Sequence, residues 1–232
     1  MAAQATAITG LCSTYLSTNM AKASELNTAV FMDFQSTMAG KRPLGFRTVS
    51  NQLGWVTIID PDDPARRNKV LTHYILGGTS PDGNYALIES PAEVNPASNR
   101  KAGFTLSVKI KVVAGKEPRC GGLVTAFHNP SSFSFVALET FHSMVKHVLV
   151  TNLNRRQTIN AVPKGDLNSN KWYLLKAIYS NRKLSFFIDG VQIFEFVPPI
   201  DNRKSLFGLY TCNGSLALFD DLNVQPGITE LR

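Results

Sequence analysis

Side chains capable of acid–base chemistry are concentrated between residues 139 and 147. This stretch contains Glu139, His142, Lys146 and His147, and Tyr179 lies further along the chain. These are residue types that act as general acids and bases. Their spacing matches no catalytic motif, and a His on a β-hairpin is more often structural or exposed than catalytic. The pattern alone therefore does not predict an enzyme.

Glycoside hydrolysis requires two carboxylates, one to donate a proton and one to attack or to activate water. Glu139 stands alone in its segment, without a companion carboxylate two residues away. The chain also lacks the nucleophile elbow GxSxG, the zinc motif HExxH, a phosphate-binding glycine loop and a dinucleotide fingerprint. A second group of acids, Asp60, Asp62 and Asp63, lacks the length and glycine of a calcium loop and is interpreted as a solvated turn.

The cysteines leave the redox state open. There are three of them, Cys12, Cys120 and Cys212, so they cannot all be paired within the chain. Cys120 and Cys212 can form a disulfide if the protein is exported, and all three can equally be reduced and buried. No CxxC pair or Cys/His cluster indicates zinc.

Composition narrows the class of protein. The chain has 232 residues, 44% of them hydrophobic, which suffices for one large β domain. The formal charge of +7 invites a nucleic-acid role, but the 24 Lys and Arg are scattered in pairs without a dense basic run. Nucleic-acid binding is therefore disfavoured. No stretch of about 18 apolar residues predicts a transmembrane helix, and the N-terminus is a poor signal peptide. The compartment stays open.

Short strands with turn residues between them fill most of the chain. Apolar residues alternate with polar ones from Phe104 to Val112, which predicts a half-buried strand. The stretch from Phe133 to Phe141 is apolar on both faces, which predicts a central strand covered on both sides. Asp189-Gly190 predicts a two-residue hairpin. We predict an all-β, two-sheet antiparallel sandwich over residues 29–232, preceded by a short N-terminal arm or helix over residues 1–28.

The closing segment carries a family resemblance. Its motifs are Trp172-Tyr173, Leu184-x-Phe186-x-Ile188-Asp189-Gly190, Phe207-Gly208-Leu209 and Phe219-Asp220-Asp221-Leu222-x-Val224. This run resembles the last strands of the concanavalin A-like lectin/glucanase sandwiches. The front half resembles their laminin G-like and 3-keto-glycoside hydrolase-like members. The resemblance covers about residues 30–224 and implies a jelly roll whose first strand lies beside its last.

The resemblance implies carbohydrate binding on one concave sheet or at its rim. Aromatic rings for stacking and planar polar groups for hydroxyls are the residue types that such a site requires. The candidates for a solvent-exposed face are His142, His147, Asn152, Tyr179 and Tyr210. The alternative for each is an ordinary strand residue with a half-buried ring.

The resemblance also implies a structural Ca²⁺ site. Asp33, Asp220 and Asp221 would converge if the first and last strands pair, and carboxylates are ligands that calcium prefers. The alternative is that Asp220 and Asp221 belong to the strand motif and only accept backbone hydrogen bonds.

The leading hypothesis is a non-catalytic, lectin-like binding module with a glycan partner. One alternative is a structural or assembly subunit that makes protein–protein contacts or self-associates. A second is a glycan-active hydrolase or lyase, because related sandwiches use His, Tyr and Lys or Arg as lyase residues. The fold pattern does not choose among these functions.

Overall fold

A computed structural model describes residues 30–44, 46–48, 54–73, 84–88, 103–115, 119–129, 131–151, 155–197, 206–212 and 214–226. Within these ranges the chain forms strands and turns only. The strands are β1 (Val30–Met32), β2 (Phe46–Thr48), β3 (Trp55–Ile59), β4 (Lys69–His73), β5 (Asn84–Ile88), β6 (Phe104–Gly115), β7 (Cys120–Asn129), β8 (Ser132–Glu139), β9 (Met144–Thr151), β10 (Arg155–Pro163), β11 (Trp172–Ser180), β12 (Lys183–Ile188), β13 (Val191–Phe196), β14 (Leu206–Thr211) and β15 (Ser215–Pro226).

These strands form two antiparallel sheets that pack face to face. Sheet A has the order β13-β12-β11-β6-β15-β4-β3, with β1 also paired to β15. Sheet B has the order β10-β9-β8-β7-β14-β5-β2. The crossovers between sheets are those of a jelly roll, and the predicted all-β sandwich is confirmed. The predicted arm over residues 1–28 lies outside the described residues and stays a prediction. No helix within the described ranges could cross a bilayer.

The centre of sheet A follows from the alternation in β6. Phe104, Leu106, Val108 and Ile110 are buried between the sheets, while the residues between them lie on the outer face. β6 pairs with β11 on one side and β15 on the other. The period of two in the sequence therefore places the apolar face toward the core.

The last strand closes the sandwich against the first, as predicted. Val30 pairs with Val224 and Met32 with Leu222. β15 carries a bulge between Asp220 and Asn223, where Asp221 adopts a φ of 48°. An extra residue in one strand changes the direction in which the neighbouring side chains point.

The Asp189-Gly190 hairpin is confirmed. Asp189 and Gly190 have φ values of 49° and 81°, the conformation that a two-residue turn with matching strand twist requires. The turn is also tied to β11, since Leu174 donates its N–H to Asp189 Oδ1 over 2.8 Å. This fixes the register of β12 against β13.

The turn that contains Asp60, Asp62 and Asp63 is solvated only in part, because Asp62 is exposed and Asp60 is not. Asp60 is buried and accepts a 3.1 Å bond from the Nζ of Lys111, which is itself buried on the outer face of sheet A. Asp62 pairs with the same Nζ at 2.7 Å, and the ring of Trp172 lies beneath it at 4.7 Å. The loop is therefore anchored by a buried cation.

Sheet B is apolar on both of its faces. Val136 and Leu138 of β8 belong to the core between the sheets. A second buried cluster lies on the outer face and consists of Cys120, Val124, Phe127, Phe133, Phe135, Ala137, Val148, Val150, Tyr210 and Cys212. The prediction of a strand covered on both sides is confirmed for Phe133 to Glu139, but Phe141 lies beyond the end of β8 and is exposed.

A disulfide joins two members of this outer cluster. Cys120 at the start of β7 is bonded to Cys212 just after β14, with the two Cα atoms 5.3 Å apart. It closes a segment of 92 residues in sequence and ties adjacent strands of sheet B. Of the alternatives left open by the sequence, the structure has the Cys120–Cys212 pair. Cys12 lies outside the described residues.

Two histidines are buried in the core between the sheets. His73 packs against Trp55, and its Nε2 comes so near Gly54 that a Cβ there would lie 2.4 Å away. The ring of His147 stacks on Phe196 with centroids 3.8 Å apart. None of the four ring nitrogens has a hydrogen-bond partner among the described residues. Burial lowers the pKa of both imidazoles to about 4, so both are neutral at pH 7.

The buried histidines predict acid sensitivity with a defined pH window. The folded-state pKa of each lies below its unfolded value of 6.5, so stability is lost as the pH falls from 6.5 toward 4. A shift of this size corresponds to about 3 kcal/mol per group. We expect His147→Leu to reduce the loss in unfolding free energy between pH 7 and pH 4 by this amount, as measured by urea denaturation. Equal pH slopes for the parent and the variant would contradict the assignment.

Candidate functional site

The turn between β8 and β9 is held rigidly by the segments around it. Thr140 donates its N–H to the carbonyl of Arg119 over 3.0 Å, and its hydroxyl lies 3.1 Å from that of Ser169. On the other side, Lys164 donates its N–H to the carbonyl of Ser143 over 2.7 Å. Ser143 has a φ of 50°, which turns the chain back into β9. The side chains carried by this turn are therefore presented from a fixed backbone.

Glu139 is a buried carboxylate at the edge of the outer cluster. It is the last residue of β8, stands opposite Cys120 in register, and has a side chain only 4% exposed. His142 Nδ1 and Lys146 Nζ both bind its carboxylate oxygens. Burial alone would raise the pKa of Glu139, but hydrogen bonds from His142 and Lys146 outweigh it and hold this pKa below its ordinary value. Glu139 is therefore ionised at neutral pH.

The ionised carboxylate fixes the orientation of His142. Because a carboxylate only accepts hydrogen bonds, His142 Nδ1 must carry the proton that it shares with Glu139. When the imidazole is neutral, its Nε2 is an acceptor. His142 is 57% exposed, so a ligand can reach this ring. A carboxylate that selects the tautomer of a histidine is a common feature of sites in which the other nitrogen acts.

An exposed aromatic ring completes the arrangement. Phe141 is 47% exposed, and its ring meets that of His142 edge to face with centroids 4.8 Å apart. Lys146 is one-third exposed. We call Glu139, Phe141, His142 and Lys146 the turn site. It offers an apolar ring surface, a cation and a histidine nitrogen within a few residues.

Three of the five predicted ligand residues lie in buried or half-buried packing. Tyr210 is buried in the outer cluster and stacks on Phe135 at 3.8 Å, and His147 is buried between the sheets. Tyr179 faces the core and stacks on Phe104 at 5.4 Å. We expected these three residues on a solvent-exposed face, and the structure places them in packed interiors instead. Asn152 lies outside the described residues.

His142 is the predicted ligand residue that the structure leaves exposed. The sequence predicts Glu139 and Lys146 only as candidate catalytic groups, and Phe141 only as the end of a strand. Their association with His142 could have been found from the spacing i, i+3 and i+7 around a hairpin turn. That signal depends on knowing where β8 ends.

The three predicted calcium ligands have separate partners. Asp221 pairs with Lys109 at 2.7 Å. Asp220 accepts bonds from the N–H of Asp221 and from Asn68, and Asp33 accepts one from the N–H of Gln35. Within the described ranges, no three His, Cys, Asp or Glu side chains are grouped so as to hold a metal. The calcium site remains a prediction.

Comparisons with known proteins identify the fold. No protein-family model matches the chain, and no curated protein sequence matches it. Carbohydrate-binding module CBM66 from Bacillus subtilis superposes with a TM-score of 0.57 and 16% identity, over 78% of this chain and 95% of the module. The fold is that of the concanavalin A-like jelly-roll sandwiches.

Two further structures share this fold. A mutant of the GH43 protein BlXynB from Bacillus licheniformis superposes with a TM-score of 0.57 and 14% identity, over 84% of this chain and 39% of that one. Family 7 alginate lyase A1-II′ in complex with substrate superposes with a TM-score of 0.51 and 9% identity, over 76% of this chain and 83% of the lyase. At sequence identities this low, the superpositions show a shared fold alone.

The turn site predicts a specific effect of neutralising Glu139. We expect Glu139→Gln to lower the free energy of unfolding at pH 7 by about 2 kcal/mol, because a buried charge-assisted pair is replaced by an uncharged amide. A depressed carboxyl pKa stabilises the fold above pH 4.5 and loses that contribution at lower pH. The difference in unfolding free energy between the parent and the variant, measured by urea denaturation, should therefore become smaller below pH 4.5.

The matched control is Glu195→Gln. Glu195 pairs with Lys183 at 2.7 Å on the exposed edge strand β13, where water screens the interaction. We expect this variant to unfold like the parent. If Glu139→Gln also unfolds like the parent, the carboxylate does not organise the turn.

Proposed function

We propose that this chain is a carbohydrate-binding module whose ligand contacts the turn site. The observation that carries the proposal is an exposed aromatic ring beside a histidine whose orientation is fixed by a buried carboxylate. Glycan sites combine an apolar platform with a few well-placed polar groups. The fold supports the proposal, since the superposed CBM66 is a carbohydrate-binding module.

Each residue of the turn site has a distinct role in this proposal. Phe141 offers its ring to the C–H face of a sugar. His142 and Lys146 lie at its side and provide hydrogen bonds for hydroxyl groups. Glu139 is too deeply buried to reach a ligand and acts by holding His142 and Lys146 in place. Preorganised polar groups bind more tightly because less conformational freedom is lost on binding.

The location of the site follows from the apolar faces of sheet B. The middle of its outer face is occupied by packed aromatic rings, so it offers no polar groups for sugar hydroxyls. The β8–β9 turn lies at the end of that cluster, where the side chains become polar and exposed. A rim site is therefore favoured over a site on the open sheet.

Substitution of the platform tests the proposal. A glycan array with the purified full chain, followed by calorimetry with the strongest ligand, should show binding that falls at least about tenfold in Phe141→Ala and in His142→Ala. Leu174→Ala is the control, because Leu174 is also exposed but lies on the outer face of sheet A. The absence of any glycan ligand, or undiminished affinity in Phe141→Ala, would refute the turn site.

A glycan lyase is the second candidate function. The contact between His142 and Glu139 is the arrangement of a base and its orienting carboxylate, with Lys146 as a nearby cation. His142 Nε2 could then accept the proton of a sugar carbon beside a carboxylate, while Lys146 balances the charge of that carboxylate. The C–H electron pair forms a carbon–carbon double bond as the glycosidic C–O bond on the next carbon breaks, and a water molecule protonates the departing oxygen. Hydrolysis is not favoured, since Glu139 is the only acidic residue from Ser132 to Thr151.

Lyase activity predicts a product with a new carbon–carbon double bond. Incubation with uronate-containing polysaccharides should give rising ultraviolet absorbance, which His142→Ala should abolish. Glu139→Gln should lower kcat and shift the pH profile, because it removes the group that fixes the tautomer of His142. Glycan binding without any product in prolonged incubation would leave the binding module as the function.

A further inference from the structure

Strand β1 and the loop that follows it display three strongly exposed apolar side chains. Phe31 is 60% exposed, Met38 70% and Leu44 95%, and the last two are the most exposed large apolar residues within the described ranges. All three line one half-open cleft of about 360 Å³, which we call the loop cleft. Exposed apolar groups gathered in one place mark a surface that binds a partner.

The loop cleft is built on a rigid support. Gln35 ties the loop to β4, since its Nε2 donates to the carbonyl of Lys69 and its Oε1 accepts the N–H of Lys69 over 3.0 Å. Thr57 of β3 exchanges backbone hydrogen bonds with Gly40 and Lys41. The apolar side chains are therefore held out by a fixed backbone, and binding would not require the loop to become ordered.

Two cations share the loop cleft with the apolar side chains. Lys41 and Arg42 are exposed and lie between Met38 and Leu44 in sequence. Among the described lining residues Asp33 is the acidic one, and its carboxylate accepts a hydrogen bond from the backbone N–H of Gln35. The described lining therefore combines exposed apolar side chains with two cationic residues and one acidic residue, which suits an anionic partner.

The charge and shape of this surface indicate which partner fits. A second copy is disfavoured, because the chain carries a net charge of +7 and like charges repel. An acidic protein would need a separate pocket for each of three protruding side chains. A bilayer accepts such side chains without shape complementarity, while its anionic headgroups meet the cations. We propose that the loop cleft binds anionic phospholipid membranes, with Phe31, Met38 and Leu44 inserted and Lys41 and Arg42 on the headgroups.

Vesicle co-sedimentation with the full chain tests this proposal. We expect binding to vesicles of phosphatidylcholine mixed with phosphatidylserine, and much weaker binding to phosphatidylcholine alone. Leu44→Ser should weaken binding about tenfold, because it removes a leucine side chain that would insert into the bilayer. The double variant Lys41→Ser with Arg42→Ser should weaken it about thirtyfold and reduce its salt dependence. Circular dichroism and thermal melting confirm that each variant is folded.

Two matched controls distinguish insertion at the loop cleft from a general electrostatic attraction between the basic chain and the anionic vesicles. Leu174→Ser removes an exposed leucine from the outer face of sheet A, and Arg155→Ser removes an exposed cation from β10. Both should bind vesicles like the parent, and so should Phe141→Ala, since the proposal does not depend on the turn site. Equal weakening by the controls would overturn it, because the attraction would then be a property of the net charge.

A polyglutamate peptide tests the alternative that the loop cleft binds an acidic protein. If this peptide binds with the same sensitivity to Leu44→Ser and the vesicles do not bind, the loop cleft serves an acidic protein and the membrane proposal is wrong. Vesicle binding that Leu44→Ser leaves unchanged would also overturn it, since no side chain would then insert.

Discussion

Sheet B has to bury an apolar cluster on each of its faces, and this constraint decides where polar chemistry can occur. Along β8, Phe133 and Phe135 point outward while Val136 and Leu138 point into the core, and all four are buried. An uncompensated polar group in either layer would be costly. The ionised carboxylate of Glu139 lies at a strand end, beside the β8–β9 turn, where His142 and Lys146 compensate its charge, whereas His147 in the middle of β9 is buried in its neutral form.

Two ion-pair networks, each built on a buried charge, illustrate the difference between anchoring a fold and presenting a site. Lys111 is enclosed by Asp60, Asp62 and the ring of Trp172, so its charge is used to fix a loop. Glu139 is equally buried, but its partners His142 and Lys146 extend to the surface. Both charges are paired, as burial requires. The buried carboxylate of Glu139 therefore holds His142 and Lys146 at the surface, where a ligand can reach them.

Much of the fold could be predicted from the sequence because strand period and turn chemistry are local properties. The alternation in β6 and the Asp189-Gly190 turn are read directly from neighbouring residues. The site was harder to predict. The alternation of apolar and polar residues shows which side chains share a face of a strand, but it does not show which face another sheet covers. Lys146 and His147 are adjacent in β9, yet one reaches the surface beside Glu139 and the other stacks on Phe196 in the core. That difference depends on the sheet packed opposite, which no local pattern records.

The ionisation of Glu139 restricts the chemistry that the turn site can perform. A glycosidase acid must be protonated at the working pH, which requires burial to raise the carboxyl pKa. Glu139 is buried, but His142 and Lys146 hold its pKa below the ordinary value, so it has no proton to give at neutral pH. The same pairing directs His142 Nδ1 toward Glu139, so that the Nε2 edge of the ring and the Nζ of Lys146 are the groups available to a ligand. Such a set can bind a sugar or accept a proton from it, and it cannot protonate a leaving group through Glu139.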